Sequence, residues 1–179
     1  WWRAAGASVR RAVAEAGVRP EEIVALTADT TCCSVVALDA GARATHPALI
    51  WMDVRSAAEA AEIAAAGDRA LRVNGAGQSP VSAEWMIPKA LWLKRHRPEA
   101  WAAATMVGEY QDYMNLRLTG RWVASINNIA TRWHYDSGGD GWPASLLEKV
   151  GLSDLLPRWP QAIVRLGEVI GPLTAEAAA

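Results

Sequence analysis

The chain has 179 residues, 51% hydrophobic and 21% charged, enough apolar material for one core and too little length for several domains. Its 18 basic and 19 acidic side chains leave a formal net charge of -1, which excludes the basic footprint of a nucleic-acid binder or of a protein held on an anionic membrane surface. No apolar run long enough to span a bilayer occurs and the opening Trp1-Trp-Arg-Ala-Ala-Gly lacks the regions of a secretion signal, so a soluble, cytoplasmic protein is expected.

Residues 1–17 place Trp2, Ala5, Val9, Val13 and Ala16 on one helical face, with Gly17 as the stop. Residues 23–27 and 34–39 are short apolar runs rich in β-branched side chains and read as buried strands. Between them stand Cys32 and Cys33, the only cysteines, adjacent and therefore unable to form a spaced disulfide framework or zinc site. The second strand closes at the turn signal Asp39-Ala-Gly41, and 49–51 resumes the extended chain. Ser56 and Glu59 have the spacing of a capping box for a helix over 57–66 that Gly67 ends. After a loop at 74–77, a helix is expected over 84–96, with Pro88 tolerated because it falls in the first turn. A strand over 105–108, a helix over 110–118 stopped at Thr119-Gly120, an ambiguous stretch over 125–133, a loop over 136–141, a helix over 143–150 and a last strand over 163–167 complete an α/β chain. The chain opens without a methionine and closes in the start of a helix at 173–179, so it is expected to be a segment of a longer protein.

Three stretches carry chemistry. Trp51-Met-Asp-Val-Arg55 ends a predicted strand with side chains alternating across two faces. Trp51 could wall a polyol pocket while Asp53 and Arg55 supply directional hydrogen bonds; alternatively Asp53 and Arg55 pair with each other and cap the next helix. Cys32 and Cys33 lie where one strand turns toward the next, with no His or Lys nearby in sequence to activate them, and read as small, inert pocket residues. In Ser82-Ala-Glu-Trp-Met-Ile-Pro-Lys89, Glu84 could accept hydrogen bonds from two sugar hydroxyls, or simply complement a helix N-terminus, and Lys89 could be an ion-pair partner. Trp85 and Trp92, seven apart, read as one core-facing helical stripe. His46, His96 and His134 are too scattered for a metal site, and no glycine-rich phosphate loop or serine nucleophile elbow occurs.

Taken with Gly108-Glu-Tyr-Gln-Asp-Tyr-Met-Asn-Leu-Arg-Leu-Thr-Gly120, these stretches resemble the amino-terminal domain of the FGGY carbohydrate kinases, and most of all its ribulokinase-like members. The resemblance runs over nearly all of the chain and implies an incomplete ribonuclease H-like, actin-type domain with a mixed sheet flanked by helices. It implies transfer of the γ-phosphoryl group of ATP, with Mg²⁺, to a primary hydroxyl of a ketopentose or polyol. It also implies that the family's sugar-contacting pair falls on Cys32 and Cys33, that Trp51 and Glu84 contact sugar, and that Arg132 stands where a basic residue reaches it. Arg132 could instead neutralise Asp136 and Asp140. The family's first strands and phosphate loop would precede residue 1, and its general base and second, ATP-binding domain would follow residue 179, so chain 1–179 alone is expected to be inactive. A non-catalytic sugar-binding module and a homodimer remain open, as does the choice among D-ribulose, L-ribulose, xylulose and ribitol.

Overall fold

The computed structural model describes residues 1–74 and 81–178; the remainder of the glycine loop expected at 74–77 lies outside them. Helix α1 (Trp2–Ala16) ends as its sequence requires, with Gly17 at φ 66° and its N–H bonded to the Ala14 carbonyl. It buries no residue. Its contacts are aromatic: the Trp1 ring lies 3.9 Å from that of Tyr110, and the Arg117 guanidinium sits 4.8 Å over Trp2.

Residues 23–27 are not the buried strand expected of them. Among the described residues they pair with no strand, and Val24 is 97% exposed. β-Branched side chains favour extended backbone, but a strand also needs a free edge to pair with. The next strand in the chain, β1 (Val35–Leu38), is already flanked on both sides, by an antiparallel strand and by isolated bridges from Val35 to Leu49 and Leu38 to Ala44.

β1 is buried throughout and closes at the predicted turn, where Asp39 Oδ1 accepts from the N–H groups of Gly41 and Arg43. α2 (Ala57–Ala65) forms as expected but without its capping box. Ser56 instead donates its hydroxyl to the Ala83 carbonyl at 2.6 Å, and Glu59 turns inward, 3.2 Å from His96. Long-range partners outcompeted the local cap. α3 (Met86–His96) is the central helix; every residue from Met86 to Leu93 is buried. Pro88 sits in its first turn, where a backbone N–H would lack an intrahelical acceptor anyway. Trp85 precedes the helix with extended backbone, so it shares no helical face with Trp92.

α4 (Pro98–Ala103) leads into β2 (Met106–Glu109), which pairs antiparallel with β1, Val35 opposite Glu109 and Leu38 opposite Met106. α5 (Tyr110–Thr119) stops at Gly120 with φ 70°. Leu116 and Leu118 are only half-buried; Asp112, Met114 and Asn115 take the inward face. The ambiguous stretch divides into β3 (Val123–Ser125) and α6 (Ile126–Arg132). α7 (Ala144–Lys149) and β4 (Ala162–Val164) follow, β4 pairing parallel with β3, and α8 (Ala175–Ala178) ends the described chain. An antiparallel and a parallel pair, flanked by helices, make the arrangement α/β and mixed, as expected. The core joins α3 to a tryptophan cluster in which the Trp133 and Trp142 rings each lie 5.1 Å from Trp159. Among the described residues no helix is long and apolar enough to cross a membrane.

Candidate active site

Lys89 is the only charged residue in the buried stretch of α3, and it is fully buried. An ammonium has three donors and needs three acceptors when water is excluded. Its Nζ donates to the carbonyls of Cys33 at 2.7 Å, Ile50 at 2.7 Å and Leu49 at 3.3 Å. The lysine thus ties the Cys32–Cys33 loop to the segment leading into Trp51. It is not the ion-pair partner its sequence context allowed, although Asp53, Glu109 and Glu84 lie near enough to favour its charge against burial, which lowers its pKa.

Glu109, at the end of β2, faces the same loop from the other side. Its Oε2 accepts from the Cys33 N–H at 2.9 Å and its Oε1 from the Trp133 indole N–H at 2.8 Å. Burial raises its carboxyl above the usual value, against those hydrogen bonds and the positive charges of Arg132 and Lys89. Asp112 follows on the first turn of α5 and accepts the Glu109 N–H at 2.7 Å, which caps the start of that helix. Complete burial pushes its carboxyl well above the usual value, and the neighbouring Glu109 charge adds to this.

Cys33 stands between these groups with a left-handed backbone, φ 61°. Its side chain is only 3% exposed, and burial, with the Glu109 charge beside it, pushes its thiol up to about 12. A thiol so buried and so weakly acidic forms little of the nucleophilic thiolate near neutral pH. Cys32 is half-buried. The Ser34 hydroxyl accepts the Trp51 backbone N–H at 3.2 Å, which fixes the tryptophan beside the cysteine loop, the residue 45% exposed.

The five residues 51–55 do not continue a strand. Trp51 and Met52 lie in a turn, so the two-faced alternation expected there is absent. Asp53 Oδ1 takes both the backbone N–H and the guanidinium of Arg55, the latter at 2.8 Å. Burial would raise the Asp53 carboxyl, but these bonds and the Arg55 and Lys89 charges hold it below its usual value. The Arg55 guanidinium also stacks 4.8 Å from the Trp92 ring. Mutual pairing therefore accounts for Asp53 and Arg55, without a cap on α2.

Glu84 is half-buried just ahead of α3, its N–H donated to the Ser82 hydroxyl at 3.2 Å. Among the described residues its carboxylate takes no salt bridge or hydrogen bond. Arg132 ends α6, half-buried, and does not neutralise the acids of the following loop. Asp140 pairs with Arg69 at 2.8 Å, and Asp136 accepts the Gly138 N–H. The Arg132 charge bears instead on Glu109 and Cys33.

Cys32, Cys33, Trp51, Asp53, Glu84 and Arg132 thus gather around Lys89 and Glu109. A concavity of about 750 Å³ lies elsewhere, lined by Arg69, Arg72, His134, Tyr135, Asp136 and neighbours. We weigh the first group more heavily, since convergent charged and polar atoms define a site better than volume does. Sequence reading assigned Glu109 no role. The signals were present: a lone charge in an apolar helix at Lys89, and a carboxylate at a strand end running into a helix at Glu109.

A model of the FGGY family of carbohydrate kinases, N-terminal domain, matches residues 1–179, and the chain belongs to that family. It is similar to a xylulose kinase from Streptomyces coelicolor, 34% identical over 173 residues covering 96% of this chain and 34% of the relative. It is also similar to a D-ribulokinase from Saccharomyces cerevisiae, 30% identical over 202 residues covering 99% of this chain and 28% of the relative. A crystal structure of a xylulose kinase from Brucella ovis superposes with a TM-score of 0.76 at 31% identity, over 95% of this chain and 34% of that one. The fold is the ribonuclease H-like, actin-type fold of these kinases, present in part. The chain spans about a third of the length of the relatives it matches.

Proposed function

We propose that this chain is the sugar-binding part of an ATP-dependent kinase that phosphorylates a primary hydroxyl of a ketopentose, ribulose or a near relative, or of a polyol. The observation that supports it most is the convergence of Cys32, Cys33, Trp51, Glu84 and Arg132 on one framework in a chain of the FGGY family. In this reading Trp51 offers an apolar face to the carbon–hydrogen side of the sugar. Glu84 accepts hydrogen bonds from its hydroxyls, and Arg132 donates to the opposite end. Cys32 and Cys33 contribute small side chains that leave room for the sugar. Asp53 orients through its bond to Arg55.

The described residues do not bring three His, Cys, Asp or Glu side chains together in a way that fits Mg²⁺. ATP, its metal and the base that deprotonates the attacking hydroxyl belong, in this proposal, to parts of the kinase outside residues 1–179, with 1–179 a partial amino-terminal domain that is inactive alone. The test is a panel of pentuloses and pentitols with ATP, using the full reading frame that contains this chain. Glu84→Ala is expected to lower kcat/KM for the sugar by about 10²-fold with the KM for ATP unchanged. Equal sugar parameters in the variant and the parent would remove Glu84 from the site.

A further inference from the structure

Cys33 carries an unusual concentration of constraint for one residue. Its backbone is left-handed without being glycine, a strained conformation that persists only where the surroundings over-determine it. Its N–H points at a buried carboxylate, 2.9 Å from Glu109 Oε2, and its carbonyl at a buried ammonium, 2.7 Å from Lys89 Nζ. Lys89 and Glu109 are 0% and 1% exposed. Each uses its remaining capacity on a different element: Lys89 on the Leu49 and Ile50 carbonyls, Glu109 on the Trp133 indole next to Arg132. Burying charged groups is costly, and apolar replacements of buried ion pairs are often neutral or stabilising. Stability alone is therefore a weak reason for charges here. What they accomplish is geometric, since between them they fix the positions of three chain segments against one strained peptide.

We propose that Lys89 and Glu109 are positioning residues, a charged clamp that grips Cys33 from both ends and sets the Cys32–Cys33 loop, the Trp51 segment and the end of α6 at the spacing a sugar requires. This rests on the sugar-kinase reading above, and it adds residues that do not themselves touch the sugar. Lys89→Met removes the ammonium while keeping the length and apolar stem of the side chain. The Cys33 carbonyl then loses its donor, and the left-handed backbone can relax.

The experiment uses the full reading frame and compares the parent with Lys89→Met and with Leu146→Ala, a buried α7 residue outside the clamp whose truncation destabilises the core. Two quantities are measured: KM for sugar against KM for ATP, and the rate of maleimide labelling of Cys33 in a Cys32→Ser background. Lys89→Met is expected to raise the sugar KM about tenfold or more at constant ATP KM, and to label Cys33 about tenfold faster than Leu146→Ala does. If Lys89→Met matches Leu146→Ala in both quantities while the parent phosphorylates sugar, the clamp is overturned and the kinase reading stands. If the parent phosphorylates no member of the panel, the kinase reading fails and the labelling rates alone decide the clamp. Should Lys89→Met not fold, Glu109→Gln is measured in the same way, its amide able to accept from only one of the Cys33 and Trp133 donors.

Discussion

His134 offers the most direct physical test of the structure, because it is a titratable ring almost wholly buried at the wall of the concavity. It is 2% exposed and lies edge-on to Trp85, with ring centroids 5.5 Å apart. Among the described residues neither ring nitrogen completes a hydrogen bond, although the Ala70 carbonyl lies near enough to favour protonation slightly. Burial dominates and lowers the pKa to about 4 from an ordinary value of about 6.5. For a base whose folded value is depressed, the unfolded chain takes up its proton first as the pH falls. The stability from keeping the ring neutral is therefore present above about pH 6.5 and is lost progressively toward pH 4. Linkage puts the loss between pH 7 and pH 5 at about 2 kcal/mol, equivalent to about 4–8 °C in Tm for a protein of this size. Glu109 and Asp112 titrate with the opposite sign, since raised carboxyl values make protonation stabilising, so the wild-type curve alone is not diagnostic. The diagnostic quantity is the difference from His134→Gln, which keeps a polar side chain at this left-handed position, φ 56°, but does not titrate. Thermal unfolding of both proteins from pH 7.5 to 4.5 should show the wild type losing ground to the variant as the pH falls. Parallel curves separated by a constant offset would refute the reasoning.

Asp112→Asn keeps an acceptor for the Glu109 N–H but removes a carboxyl held well above its usual value. The wild type should gain Tm relative to this variant as the pH falls from 7 toward 5, the opposite trend to His134→Gln; denaturation at matched ionic strength distinguishes the two. Gly108→Ala would place a Cβ 2.5 Å from Trp122 and 2.9 Å from the Asp112 carboxylate, so urea titration should show a loss of about 1–3 kcal/mol. A loss under about 0.5 kcal/mol would mean that Trp122 moves aside freely.

Local grammar determined much of this chain. Gly17 and Gly120 ended their helices, Asp39 made its turn, and Pro88 began a helix rather than breaking it, because each depends on the backbone within a few residues. The ordered motifs around Trp51, Glu84 and Gly108–Gly120 likewise pointed to the family before any fold was known. Where a choice depended on a distant partner, sequence could offer only alternatives. Residues 23–27 had the composition of a strand but pair with none among the described residues, and Ser56 left its cap for the Ala83 carbonyl. Arg132 was close in sequence to Asp140, yet that acid went to Arg69. Most of all, only the tertiary structure could bring Lys89 and Glu109 to the two ends of one peptide. Cys33 is 56 residues from the lysine and 76 from the glutamate, and desolvation by the assembled core is what makes those charges seek each available hydrogen bond.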